Sequence, residues 1–216
     1  MKIRWNGHSS FTITGKNGLV IVTDPYEPGA FGGGIGYQQI DVQPDIVTVS
    51  HDHDDHNYTA GFSGDFAVVR KAGEFKGVTF DALDTYHDEN KGANRGENLV
   101  FAFAVDGVRI CHLGDLGHPL SDEQAEKLGA VDVLLLPVGG HFTIDYLQAA
   151  DVVNKLKPKI VIPMHFKTDK CGFPIAEVSA FTEGKERVNH VGADEIELTA
   201  DNLPGATEIL VLNHRY

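Results

Sequence analysis

The stretch DIVTVSHDHDDHNY, residues 45–58, decides how the rest of the chain is interpreted. Its first half is rich in β-branched residues, which predicts a buried strand over residues 45–50. Directly after that strand, the run HDHDDH places three histidines and three aspartates in the six positions 51–56. Crowded carboxylates disfavour one another's charge, so the run indicates a bound cation that compensates them.

The spacing within this run is suited to metal ligands. His51 and His53 are two residues apart, so on an extended continuation of the strand both project to the same side. Asp55 and His56 follow where the chain has to turn, and they offer one oxygen and one nitrogen to a neighbouring point. Neutral imidazoles and carboxylates are the ligands of zinc and similar divalent metals. The alternative, a solvated acidic loop with histidines in it, accounts poorly for four ligand-type residues directly after a buried strand.

Composition limits the class of protein. The 216 residues are enough for one well-buried core and predict a single domain over residues 1–216. The formal net charge of −13 disfavours a nucleic-acid or anionic-membrane partner, because such partners attract clustered Lys and Arg. No apolar run approaches the roughly 20 residues of a membrane span. The N-terminal residues MKIRWNGHSS lack the apolar core of a signal peptide, and there are only two cysteines, which predicts a cytoplasmic protein.

Short apolar runs predict many strands in the first half of the chain, because they are rich in β-branched and aromatic residues and are separated by turn residues. The predicted strands cover residues 11–14, 19–24, 45–50, 66–69, 78–80, 99–105 and 108–115. The second half alternates strands and helices. Strands are predicted over 131–137, 159–164, 195–199 and 208–212. This order predicts an α/β domain with sheets in the middle and helices outside.

Three helices are predicted in the second half. Ser121 is a suitable N-cap for a helix over residues 122–128, and residues 175–184 predict a short helix that ends at a glycine. The longest helix ends near residue 156 and is capped by Thr143 or Asp145. Its apolar residues at helical spacing predict the buried face. They are Tyr146, Ala150, Val153 and Leu156.

The glycine-rich segment GAFGGGIGYQQ, residues 29–39, is a further feature to explain. It has neither a GxGxxG pattern between a strand and a helix nor the lysine of a P-loop, so it is a weak candidate for phosphate binding. A mobile loop near the mouth of the site is the favoured interpretation.

The HxHxDH arrangement is the signature of the metallo-β-lactamase superfamily, which the sequence resembles over nearly its whole length. Further elements follow in the order of that family: Asp24 in IVTDP, His87 in DTYHD, Asp115 in HLGD and His165 in IPMHF. The segments GHSSF, RGEN, HLGDLGH and LPVGGHFTID resemble the branch of small members that includes L-ascorbate 6-phosphate lactonase. The resemblance implies a four-layer αββα sandwich.

The resemblance also implies two divalent metal ions, with zinc favoured and manganese, iron or nickel as alternatives. The implied ligands of one ion are His51, His53 and His87, those of the other are Asp55, His56 and His165, and Asp115 bridges the two. A hydroxide shared by the ions would attack a small ester or lactone. Asp55 would orient it and carry a proton to the leaving group.

Several alternatives stay open at this point. His112 competes with His87 as the third imidazole of the first ion, and otherwise would orient Asp115 or meet the substrate. Phosphoester or phosphodiester hydrolysis uses the same ions. A redox di-iron protein and a non-catalytic metal-binding module are the rivals from other classes.

Other residues are candidates for the surroundings of the site. Asp24 is expected to accept hydrogen bonds behind the ligands, and His8 and His141 to line the pocket. Arg95 and Lys167 are candidates to bind an anionic group of the substrate. The expected partner is therefore a small molecule, with no nucleic acid and no membrane. A homo-oligomer is an expectation at the level of the family.

Overall fold

Two β-sheets lie at the centre of the protein, for which a computed structural model describes residues 1–216. The six strands of the first sheet are β1 (Lys2–Gly7), β2 (Ser10–Thr14), β3 (Val20–Thr23), β4 (Ile46–Thr48), β5 (Ala67–Val69) and β13 (Glu195–Glu197). The eight strands of the second are β6 (Gly73–Phe75), β7 (Val78–Tyr86), β8 (Glu97–Val105), β9 (Val108–His112), β10 (Val133–Pro137), β11 (Ile160–Met164), β12 (Val188–His190) and β14 (Glu208–Val211). Their spatial orders are β13-β1-β2-β3-β4-β5 and β12-β14-β11-β10-β9-β8-β7-β6.

Most of the predicted strands are present, with shifted ends. The strand predicted over 78–80 continues to Tyr86, and the one predicted over 195–199 ends at Glu197. Strands β1, β6 and β12 were missed. In β1, buried Ile3 and Trp5 alternate with more exposed Lys2 and Arg4, and this alternation is the period of a half-buried strand.

Four helices accompany the sheets: α1 (Ala30–Gly33), α2 (Asp122–Leu128), α3 (Tyr146–Leu156) and α4 (Val178–Thr182). Ser121 caps α2 and Asp145 caps α3, each in a capping box with the glutamine three residues later. The last helix is shorter than the predicted 175–184. None of the helices combines the length and the apolar composition that crossing a bilayer requires.

The predicted buried face of α3 was wrong by a fraction of a turn. The buried residues are Ala149, Val152 and Leu156, whereas Tyr146 is 39% exposed. Two overlapping apolar stripes share Leu156, and with alanines at both 149 and 150 the spacing alone cannot choose between them. Packing against the second sheet decides the outcome.

The main hydrophobic core lies between the sheets and under the helices. Ile21 and Ile46 of the first sheet belong to the same buried cluster as Phe101 and Leu135 of the second. The opposite face of the first sheet presents Val22, Val47 and Val49, which pack against the loop residues Val42, Phe62 and Phe66. The predicted α/β fold with two central sheets is confirmed, but the outer layer over the first sheet is built from loops rather than long helices.

Strand direction brings the ends of several strands to one edge of the sandwich. Strands β3 and β4 are parallel, and so are β9, β10 and β11. Strand β7 also runs in the direction of β9, because both are antiparallel to β8. The loops that follow β3, β4, β7, β9 and β11 therefore leave carboxyl ends, which is where α/β sheets place their sites. These loops carry all seven of the metal ligands implied by the family resemblance.

Candidate metal centre

The HxHxDH segment folds into a tight turn directly after β4. The backbone N–H groups of His56 and Asn57 both donate to the carbonyl of His53, at 2.9 and 3.1 Å. This turn separates the segment into two halves that face different neighbours. His51 and His53 lie beside His87, and the ligand atoms of these three residues are all within 4.8 Å of one another. We call them the first cluster.

The second half of the segment joins residues from distant parts of the chain. Ligand atoms of Asp55, His56, His165 and His8 lie within 4.8 Å of one another, and we call these residues the second cluster. The Nε2–H of His8 donates to Oδ2 of Asp55 at 3.0 Å. The carbonyl of His8 also accepts the backbone N–H of His165 at 3.1 Å, which ties the β1–β2 turn to the end of β11.

Asp115 lies between the two clusters. Its Oδ2 is 3.2 Å from Nε2 of His87 in the first cluster and 3.2 Å from Nε2 of both His56 and His165 in the second. Burial alone would raise the pKa of Asp115, but the neighbouring His165 and His56 hold that pKa well below its usual range. An ionised carboxylate thus sits at the point where the clusters meet.

The donor atoms of this centre fit metal ions. Nε2 of His51, His56 and His165 and Oδ1 of Asp115 are buried without a hydrogen-bond partner, an arrangement that costs free energy unless another group meets them. Burial lowers the pKa of His51 to about 3, so its imidazole is neutral near pH 7, as metal binding requires. Burial would also lower the pKa of His56, but Asp115 and Asp55 raise it well above its ordinary value. A metal ion bound to Nε2 of His56 would displace this proton.

A cavity of about 210 Å³ opens onto the centre. Its polar floor carries residues of both clusters and Asp115, and the remaining lining is Arg95 with three aromatic rings. The rings belong to Phe31, Phe142 and Phe173. A small molecule in this cavity would touch the candidate ligands and the aromatic rings together.

Comparison with known proteins decides the family. The family model described as "Beta-lactamase superfamily domain" matches residues 2–165. The chain belongs to the metallo-β-lactamase superfamily. The predicted family and enzyme class, a metal-dependent hydrolase, are confirmed at this level by relatives named UPF0173 metal-dependent hydrolase. One from Thermoplasma volcanium is 32% identical over 78% of this chain and 84% of its own length. One from Nitratidesulfovibrio vulgaris is 30% identical over 88% of each.

A solved structure agrees with these relatives. The crystal structure of a protein from Thermotoga maritima, described as a Zn-dependent hydrolase of the metallo-β-lactamase superfamily, is 35% identical to this chain. It superimposes with a TM-score of 0.81 over 99% of both chains. The superfamily fold therefore extends beyond residue 165, to the end of the chain.

Within this superfamily member, Asp24 orients two of the candidate ligands. It is fully buried and accepts the backbone N–H of Ser50 at 2.8 Å and the Nδ1–H of His56 at 2.9 Å. The Ser50 hydroxyl also donates to Asp24, so the Nδ1–H of His51, 2.9 Å away, donates to that hydroxyl. Both imidazoles then keep a proton on Nδ1, which leaves Nε2 as the nitrogen that faces the centre and can bind a metal ion.

His112 and His87 occupy different environments. The Nε2–H of His112 donates to the carbonyl of Ser9 at 2.7 Å, and its Nδ1 accepts the N–H of Gly114 at 3.2 Å. Both ring nitrogens are thus used within the scaffold. The structure brings His87, and not His112, into the first cluster.

The other predicted site residues divide into two groups. Arg95 lines the cavity, and His8 lies in the second cluster rather than in the outer lining. Lys167 donates to the carbonyl of Phe173 at 3.0 Å, and His141 is exposed with its ring 4.4 Å from that of Phe142. Neither lines the 210 Å³ cavity.

Sequence reasoning missed supporting residues as well as the aromatic rings. Asn98 accepts the backbone N–H of Asp115 at 2.9 Å and donates to Thr85 and to the carbonyl of Leu113 at 2.8 and 3.0 Å. Asn98 is the last residue of the RGEN segment, and this segment was the signal in the sequence that could have identified it as a supporting residue. Ser50 directly precedes the HxHxDH segment, and a hydroxyl beside a ligand histidine is a recognisable signal.

Glycines allow the loops of the centre to approach closely. A Cβ added to Gly117 would overlap the backbone of His87 and Asp88, and one added to Gly139 would overlap the carbonyl of His165. The backbone N–H of Gly117 also donates to the carbonyl of Tyr86 at 2.9 Å. The loop after β9 therefore packs directly on the backbone of the segment that contains His87.

Gly117→Ala is expected to lower the free energy of unfolding by about 2 kcal/mol, because the backbone at His87 must move away from the added methyl group. The same movement should weaken metal binding, since His87 belongs to the first cluster. Urea unfolding and metal titration measure the two effects. Gly205→Ala is the matched control, because an added Cβ there meets no atom within 4 Å. Equal stability of the two variants would contradict the close approach.

Proposed function

We propose that the protein is a dinuclear metal-dependent hydrolase of a small ester or lactone. The observation that carries the proposal is the position of Asp115, whose Oδ2 is 3.2 Å from histidines of both clusters. A single carboxylate shared by two groups of imidazoles is the arrangement expected of two neighbouring metal sites. The family membership supports the hydrolytic class.

The residues of the two clusters would hold the ions. His51, His53 and His87 are the proposed ligands of one, and Asp55, His56 and His165 of the other, with Asp115 between them. Three protein ligands with room for a further group is the pattern of a catalytic rather than a structural site. Divalent ions bound there would polarise the substrate and bring the pKa of water towards neutrality. Zinc is the ion we expect, and manganese, iron or nickel are compatible with the same donors.

Asp55 is the proposed catalytic carboxylate. It is buried, and although burial would raise its pKa, the neighbouring His56 and His8 hold it below its usual range. The Nε2–H of His8 donates to Oδ2 of Asp55, which fixes the orientation of the carboxylate. As an ionised carboxylate, Asp55 would orient the attacking water, accept a proton from it and pass that proton to the leaving group.

The size of the cavity favours a small substrate. Its volume of about 210 Å³ lies below the range of roughly 300–1,000 Å³ of pockets that enclose drug-sized ligands. A larger groove of about 720 Å³ adjoins the centre. It shares His51 and His53 with the first cluster and Arg95 with the cavity, and would accommodate a leaving group.

The proposal predicts two metal ions for each chain and metal-dependent hydrolysis of a small ester or lactone. Elemental analysis of protein purified without chelator measures the first. The second is measured with a panel of simple lactones, aryl esters, a phosphodiester and a thioester, on chelator-treated protein and after reloading with each metal. Faster hydrolysis of the phosphodiester than of the esters and lactones would show that the proposed substrate class is wrong. Redox-active iron with no hydrolysis, or binding of fewer than two ions, would contradict the dinuclear hydrolase.

A further inference from the structure

An aromatic wall forms one side of the cavity at the metal centre. We use this name for Phe31 of α1 and for Phe142 and Phe173, which lie in two loops. The ring centroids of Phe31 and Phe173 are 5.6 Å apart, and those of Phe142 and Phe173 are 5.4 Å apart, with the rings nearly perpendicular in both pairs. Such edge-to-face contacts are a favoured aromatic geometry. These contacts hold the three aromatic rings beside the polar side chains that are the candidate metal ligands.

Phe31 is the most exposed member of the wall. Its side chain is 56% exposed and lines the cavity, so part of the ring is open to a molecule that enters it. It lies in α1, whose backbone is irregular, with positive φ at Gly29, Phe31 and Gly32. Glycines adopt this conformation without strain, whereas Phe31 does not. The segment therefore holds an apolar ring at the mouth of the cavity at some conformational cost.

Arg95 differs from every other arginine of the chain. Each of the others lies within 4 Å of a carboxylate: Arg4, Arg70, Arg109, Arg187 and Arg215. Arg95 has no such partner, although the protein carries a net charge of −13. Its guanidinium instead lies over the ring of Phe142, 5.4 Å from the centroid. A cation kept free of carboxylates beside the centre is available to an anion.

The loop that carries Arg95 is fixed from within. The carboxylate of Asp88 accepts four backbone N–H groups of this loop, at 2.7–3.0 Å. They belong to Asn90, Gly92, Asn94 and Arg95. The backbone of Arg95 is thus positioned before any ligand binds, which lowers the cost of binding.

We propose that the substrate carries an anionic group, which Arg95 binds, next to a planar apolar group, which packs on the aromatic wall. The inference rests on the proposed function, since it describes the substrate of the same centre. The anion is a carboxylate or a phosphate, because both have oxygens that match a guanidinium. The apolar group is limited to about the size of one ring by the 210 Å³ cavity. A small anionic aryl or unsaturated ester or lactone meets both requirements.

Equilibrium binding of non-hydrolysable probes tests the proposal. Phenylacetate, phenyl phosphate and the neutral phenylacetamide are titrated into chelator-treated and metal-loaded protein, with calorimetry or ligand-observed NMR as the readout. At least one anionic probe should bind about tenfold more tightly than the amide, the size expected of a charge-assisted hydrogen bond. Which anion binds better distinguishes a carboxylate from a phosphate substrate.

Three variants assign the effect to residues. Arg95→Gln should remove the tenfold preference for the anion. Arg95→Lys should retain part of this preference, because lysine keeps the positive charge but lacks the planar guanidinium group. Phe31→Ala should weaken all three probes by roughly twofold to tenfold, since it removes one aromatic contact. Arg187→Gln is the control, because it makes the same change at an exposed arginine that lines none of the cavities described above.

The outcomes separate this proposal from the proposed function. Equal binding of the amide and the anions, unchanged binding in Arg95→Gln, or no binding of any probe at tens of millimolar would overturn the anion site. Metal content and hydrolysis are measured on the same samples. Arg95-dependent binding without hydrolysis would count against the hydrolase alone, whereas hydrolysis without Arg95-dependent binding would count against the anion site alone.

Discussion

Asp115→Asn is expected to abolish metal-dependent turnover while the protein keeps its fold. The substitution preserves the size of the side chain but removes the charge that lies 3.2 Å from three imidazoles. The loop itself should stay in place, because its anchor is the backbone N–H of residue 115, which donates to Asn98. Elemental analysis, turnover of the substrate found in the panel, and thermal unfolding measured by circular dichroism check the three parts of this result.

His53→Ala should have the same effect on turnover, because it removes a member of the first cluster. His53 is only half-buried, so the cost to folding should be small. Asp151→Asn is the control for both variants, since this aspartate is exposed on α3. Full activity and full metal content in Asp115→Asn would refute the role assigned to Asp115.

Asp24→Asn is expected to lower the free energy of unfolding by about 3 kcal/mol and to weaken metal binding by roughly tenfold to a hundredfold. The carboxylate accepts hydrogen bonds from the Ser50 backbone, the Ser50 hydroxyl and His56, and an amide would turn its own NH₂ group towards at least one of these donors. If the NH₂ group faces His56, that imidazole loses the contact that keeps its proton on Nδ1; if it faces the Ser50 backbone, the N–H of Ser50 loses its acceptor.

Two measurements on metal-free and metal-loaded protein separate the effects of Asp24→Asn. Urea unfolding of the metal-free protein reports the cost to the scaffold, and competition with a chelator reports metal affinity. Asp201→Asn, at an exposed position in a short helical turn, controls for the general effect of losing a carboxylate. A variant that is destabilised yet binds metal as tightly as the unchanged protein would show that Asp24 acts on the fold only.

The sequence predicted the parts of the site whose signal is local. The HxHxDH segment, Asp24, Asp115 and His165 each begin within three residues after a strand, and the carboxyl ends of parallel strands meet at one edge. The choice between His87 and His112 is not local. It depends on which nitrogen atoms the scaffold already uses, and only the hydrogen bonds of His112 to Ser9 and Gly114 reveal this.

The aromatic wall could not be predicted from the sequence, for a different reason. Phe31, Phe142 and Phe173 lie far apart in the chain, and an isolated phenylalanine is most often a core residue. The role of His8 was also underestimated. Its position depends on the β1–β2 turn, where it adopts a positive φ of 51° and contacts the end of β11. The family and the fold class follow from local motifs, whereas the lining of the cavity requires the tertiary structure.

The origin of the aromatic wall in three separate segments outside the two sheets bears on how this protein can diverge. None of its three rings belongs to either cluster, and surface loops tolerate substitution and insertion better than strands do. Replacing Phe31 or Phe142 would reshape the cavity while leaving the ligand sets of both clusters in place, whereas Phe173 also packs edge-on against the ring of His8 at 5.7 Å. Selectivity can therefore drift from one compound to another across descendants of one ancestor, with the hydrolytic apparatus inherited intact.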